Sequence, residues 1–157
     1  MPVNGKILLI GFGNPAREDD GLGIAVAETV EKMGIEGVTV DSNYQLTVED
    51  AATITEHDIV IFADASIDGE EPFSFSEITP SDNPQMDSHS MEPDSLMGLA
   101  KEVFNAKTEG YILGIRGYSF SMFTETMTKK ALENLEKTLN FILPMLRSGT
   151  IYKTEMK

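Results

Sequence analysis

Asp20, Asp64 and His89 are the residues whose types and places allow chemistry. Asp20 closes an acidic run, Glu18-Asp19-Asp20, in a loop that begins Gly11-Phe12-Gly13-Asn14-Pro15. Asp64 directly follows an apolar run, Ile59-Val60-Ile61-Phe62-Ala63, and His89 sits between Ser88 and Ser90 in a stretch without periodicity. A carboxylate delivered by a buried strand is costly unless it is hydrogen-bonded or metal-bound. Two carboxylates and one imidazole bind first-row divalent ions such as nickel, zinc or manganese, and three protein ligands leave positions open for water or substrate. Each residue also has a structural reading. Asp19 or Asp20 could cap the following helix, Asp64 could cap a turn, and a lone loop histidine is usually uninvolved. His57, beside Glu56 and with no partner motif, is read as structural.

The elements that must position these residues alternate between strand and helix. Lys6 to Ile10 is a short apolar run of the kind buried on both faces of a sheet. Leu22, Val26, Val30 and Met33 mark an amphipathic helix that stops at Gly34. Val38 to Val40 is a second strand ending in Asp41, and Thr47 with Asp50 suggests a capped short helix to about Thr55. Asp58 to Ala63 is a third strand, Pro72 to Ile78 an edge strand, and Thr79 to His89 a surface loop. A helix from Pro93 to Phe104 and a strand from Tyr111 to Gly117 follow. A last long helix carries Met127, Ala131, Leu135, Leu139, Ile142 and Leu146 inward, with Pro144 expected to kink or end it.

This order implies an α/β fold: three layers, with a mostly parallel twisted sheet of about five strands and helices on both faces, phosphorylase/hydrolase-like. If the first and third strands are neighbours, as in the flavodoxin-like order 2-1-3-4-5, Asp20 and Asp64 emerge together at the switch-point crevice. Residues 1–157 read as a single domain without repeat or linker.

Composition narrows the partners. The 157 residues include 26 Asp and Glu against 12 Lys and Arg, a formal charge of -14, which repels nucleic acid and anionic membranes. No apolar run approaches the roughly 20 residues of a membrane span, so a cytoplasmic location is expected. The absence of cysteine excludes thiolate chemistry and disulfides.

Gly11-x-Gly13-x-x-Ala16, with Asp41 further on, also passes as a dinucleotide fingerprint, which would make the chain an oxidoreductase. Against this, Glu18, Asp19 and Asp20 crowd the helix start where a pyrophosphate would have to lie. No G-x-S-x-G elbow, H-E-x-x-H helix or phosphate loop occurs. Ser88 and Ser90 are poorly placed to pair with the adjacent His89 as nucleophile and base.

Gly11-Phe12-Gly13-Asn14-Pro15, Asp19-Asp20-Gly21-Leu22-Gly23, Ala63-Asp64-Ala65 and Ser88-His89-Ser90-Met91 resemble the hydrogenase maturation proteases in order and spacing. Tyr44-Gln45-Leu46, Gly117-Tyr118-Ser119-Phe120 and Ala131-x-x-Asn134-Leu135 extend the resemblance over nearly the whole chain. It implies an endopeptidase that removes a short C-terminal extension from the nickel-loaded precursor of a [NiFe]-hydrogenase large subunit. The family's metal-contacting and catalytic positions fall on Asp20, Asp64 and His89, with the register from Gly13 to Gly23 favouring Asp20 over Asp19. Gly13, Asn14 and Asp19 would contact substrate. Nickel, or another divalent ion in its place, would come with the substrate, leaving no permanent cofactor, and the enzyme would be a monomer. The metal would polarise the scissile carbonyl or lower the pKa of a bound water, with Asp64 or Asp20 as base. A non-catalytic binder of the same precursor is the remaining alternative.

Overall fold

The computed structural model describes residues 3–85 and 91–151. A five-stranded sheet is built from β2 (Ile7–Phe12), β3 (Val38–Asn43), β4 (Ile59–Ser66), β5 (Phe73–Glu77) and β6 (Glu109–Arg116), in the order β3-β2-β4-β6-β5. All neighbours are parallel except β5, which runs antiparallel to β6. A separate antiparallel pair joins β1 (Val3–Asn4) to β7 (Thr150–Ile151).

The apolar runs of β2 and β4 are continuous because both strands are covered on both sides. Alternate residues serve opposite cores. Ile7, Leu9, Ile59, Ile61 and Ala63 pack with α1 (Leu22–Met33) and α4 (Lys129–Ser148). Leu8, Ile10, Val60 and Phe62 pack with α2 (Asp50–Thr55) and α3 (Pro93–Phe104). The three-layer α/β expectation therefore holds, as does the adjacency of the first and third main strands.

Several details differ from or refine the expectation. Counting the five main strands along the chain, the order is 2-1-3-5-4, not 2-1-3-4-5. The 67–72 connection is too short for a parallel crossover, which needs a dozen or more residues. β5 therefore returns antiparallel, and the fully buried Tyr111, Leu113 and Ile115 take β6 inside it. β3 continues past Asp41 to Asn43 because the whole of β2 is available as its partner. Pro144 does not end α4, which runs to Ser148 with Ile142, Met145 and Leu146 buried around it. The buried face of α4 passes through Asn134 and Thr138, while Leu135 and Leu139 are only partly buried. At the end of α1, Met33 is exposed rather than part of the core stripe.

No described helix is long and apolar enough to cross a membrane.

Candidate functional site

β2 and β4 lie side by side in parallel, pairing Gly11 with Ala63, so the chain leaves both strands at one end of the sheet. From β2 it passes through the Gly13–Arg17 loop into a single 3-10 turn, Glu18–Gly21, and then into α1. Gly13 has φ +133, and a Cβ on it would sit 2.3 Å from the Asp20 carbonyl oxygen. Gly23 is equally constrained, since its Cβ would lie 2.2 Å from the Ala63 carbonyl oxygen. These close approaches set the acidic turn directly over the end of β4.

The result is a cleft of about 460 Å³ lined by Asp20, Asp64, Arg17, Gly13, Gln45, Glu92 and neighbouring residues. Asp20 and Asp64 thus share one cavity at the switch point, as the strand adjacency requires. The Asp20 carboxylate accepts the Asn14 backbone N–H at 2.8 Å, and the Asn14 side-chain oxygen accepts the Ala16 N–H at 2.9 Å. Loop N–H groups that a dinucleotide's phosphates would need are therefore already engaged by the loop's own oxygens.

Asp64 is partly buried, two residues before the end of β4. Burial, then the charge of Asp20 and more weakly that of Glu92, pushes its pKa up to about 7, against a lowering by the Ala65 N–H. A carboxylate so disfavoured gains from any cation placed beside it. Asp20 and Asp64 offer hard oxygen donors to a divalent cation. Among the described residues no group of three His, Cys, Asp or Glu side chains forms a metal site. His89 lies outside the described residues. Met91 and Glu92, just beyond it in sequence, do line the cleft.

Asp19 is placed differently from the expectation that it contacts substrate. It is fully buried, and its carboxylate accepts N–H donors from Tyr118 at 2.7 Å, Ser119 at 3.1 Å and Thr128 at 2.8 Å, plus the Thr128 hydroxyl at 2.8 Å. Burial alone would raise its pKa, but the donors from Thr128, Tyr118 and Ser119 together hold it below the usual carboxylate range. The Thr128 hydroxyl also accepts the Ala131 N–H, so Asp19 ties the acidic turn to the start of α4. Glu18 adds to this tie by accepting from the Ser119 hydroxyl at 2.8 Å. Neither Asp19 nor Asp20 caps α1, whose N-cap Gly21 has no side-chain bond.

His57 donates through Nδ1 to the Thr53 carbonyl, 2.9 Å away, and the ring is structural as expected. Arg17 and Glu92 were not singled out by sequence. Arg17 follows the Gly-Asn-Pro turn and Glu92 precedes the first helical proline of α3, positions that signal loop ends rather than a site.

No family model matches the chain, and no curated protein matches its sequence. Solved structures do. The [NiFe] hydrogenase maturation protease HycI from Thermococcus kodakarensis superposes with a TM-score of 0.73 at 22% identity, covering 92% of this chain and 94% of that one. The hydrogenase maturating endopeptidase HybD from E. coli gives 0.67 at 19% identity, over 92% and 94% of the two chains. A hydrogenase 2 maturation peptidase from a Thaumarchaeota archaeon gives 0.63 at 19% identity, over 90% and 97%. The fold is shared with these proteins over nine-tenths of the chain.

Proposed function

We propose that this chain is an endopeptidase that removes a short C-terminal extension from the nickel-loaded precursor of a [NiFe]-hydrogenase large subunit, acting as a cytoplasmic monomer without a permanent metal. The observation that carries this reading is the meeting of Asp20 and Asp64 in one cleft, on a fold shared with solved hydrogenase maturation proteases.

In this reading nickel belongs to the substrate. Asp20 and Asp64 offer it carboxylate oxygens, and His89 an imidazole, as the precursor docks. Before docking, Asp64 carries an electrostatic penalty from its burial, from Asp20 and from Glu92. An incoming divalent cation relieves that penalty, which favours nickel-loaded over nickel-free precursor. Held by Asp20, Asp64 and His89, such an ion would supply a lowered pKa to a nearby water, and Asp20 or Asp64 would accept the proton as water attacks the scissile carbonyl. Gly13 lines the cleft, and Asn14, tied to the Asp20 carboxylate through its N–H, follows it in the loop along which the peptide backbone would pass.

Intact-mass spectrometry of a nickel-loaded precursor incubated with the protein tests the reading. The expected result is loss of the extension's mass from the loaded precursor and none from the nickel-free one. A loaded precursor that keeps its full mass contradicts it.

A further inference from the structure

Arg17 is the one cation among the described residues lining a cleft that also holds Asp20, Asp64 and Glu92, yet it forms no ion pair with any described carboxylate. Its Nε is buried and has no hydrogen-bond partner among the described residues. A buried donor left unmade costs about 1–3 kcal/mol, and the Arg17 side chain that bears it lines the same cavity as the two site carboxylates.

The backbone around Arg17 is held tightly. The Arg17 N–H donates to the Asn14 carbonyl at 3.0 Å, and its own carbonyl accepts the Asp20 N–H at 3.1 Å. Arg17 bridges to Thr124, with the Glu18 N–H on the Thr124 carbonyl at 2.6 Å and the Thr124 N–H on the Ala16 carbonyl at 2.9 Å. Both sides of this bridge carry left-handed non-glycine residues, Glu18 with φ 49 and Phe123 with φ 63. Each such conformation costs on the order of 1 kcal/mol and persists only where the surroundings impose it. Strained backbone at Glu18 and Phe123 therefore brackets the residue that carries the unmade hydrogen bond at the cleft wall.

We propose that Arg17 receives the carbonyl oxygen of the peptide bond being cut. This rests on the endopeptidase reading above. A free carboxylate ligand is the poorer fit, because three acids in the cleft repel it, whereas a neutral carbonyl enters without that cost and gains charge only as it reacts. As water's oxygen bonds to the carbonyl carbon, one water proton passes to a cleft carboxylate and the π pair moves onto the carbonyl oxygen, facing the guanidinium. On collapse that pair returns, the C–N bond breaks and the proton goes to the departing amine. A fixed donor in a partly water-excluded cleft stabilises the intermediate oxyanion more than the ground-state carbonyl.

The test compares wild type, Arg17→Met and Arg17→Lys on nickel-loaded precursor, with thermal melting measured alongside. Arg17→Met is expected to lower kcat by about 100-fold with KM changed less than about threefold, the signature of a lost transition-state donor. Arg17→Lys is expected to recover part of kcat. The melting temperature of Arg17→Met should equal or exceed that of wild type, because an unmet buried donor has been removed. Wild-type kcat in Arg17→Met, a rise in KM alone, or a clear fall in melting temperature each overturns the assignment while leaving the endopeptidase reading standing. A wild-type protein that leaves the precursor intact overturns both.

Discussion

Asp19 and Asp64 are carboxylates withdrawn from water at opposite sides of the same acidic turn, and the protein treats them in opposite ways. Asp19 is surrounded by four donors, so its charge is held and its pKa falls. Asp64 has two acids for company and its pKa rises to about 7. Between them stands Asp20, one residue from Asp19 in the chain but facing Asp64 across the cleft. Donors mark scaffold. Unrelieved like charge marks a place prepared for something positive.

The largest expected effect is on Asp19. Asp19→Ala should destabilise the fold by about 3–5 kcal/mol, since it strands several buried donors at once. Denaturant unfolding measures this, and a loss under 1 kcal/mol would remove the distinction between the two acids. The pH dependence gives its sign. Because the folded pKa is depressed, the stability Asp19 supplies is present above the ordinary carboxylate value and is lost as pH falls through the folded one. The gap between wild type and Asp19→Asn should therefore narrow in acid.

Asp64→Asn should do the reverse. A folded pKa near 7 means the charged form weakens the fold, so stability from this group declines as pH rises from about 4 to 7. Asn removes that penalty, and the variant should be more stable than wild type by up to a few kcal/mol at pH 8, with the gain gone by about pH 4. Unfolding curves at the two pH values decide it; a variant less stable at pH 8 would place Asp64 in the scaffold beside Asp19.

Gly23→Ala forces a methyl group to 2.2 Å from the Ala63 carbonyl and should cost about 1–3 kcal/mol while displacing the acidic turn from β4. Its processing rate should fall more than its stability does, which a paired melting and cleavage measurement would show. Smallest is Phe123→Gly. The side chain is 89% exposed and its φ is 63, so glycine relieves strain with little burial lost. A gain of up to about 1 kcal/mol is expected in the same unfolding assay, the relief exceeding glycine's added chain entropy.

Much of the frame was legible. Continuous apolar runs at Ile7–Ile10 and Ile59–Ala63 announced strands buried on both faces, and the adjacency of those two strands was enough to bring Asp20 and Asp64 together. The outer strand order was not legible from pattern alone, because an alternating edge strand looks the same whether it lies next to β4 or beyond β6. The expected apolar stripe of α4 does pack on the core, but its polar members were not legible. Asn134 reads as polar, yet its amide donates to the Arg116 carbonyl and the Tyr118 hydroxyl and is buried by being satisfied. Asp19 was hidden in the same way, since its donors come from about a hundred residues later in the chain. Arg17 carried no sequence signal at all, because an unmet donor is a property of packing.

One measurement tests the central claim most directly: rates of C-terminal processing of nickel-loaded precursor by wild type, Asp20→Asn and Asp64→Asn, followed by intact mass, each variant first shown to be folded. The account predicts that wild type cleaves and that both variants slow processing by at least about 100-fold. Processing by both variants at the wild-type rate would contradict it.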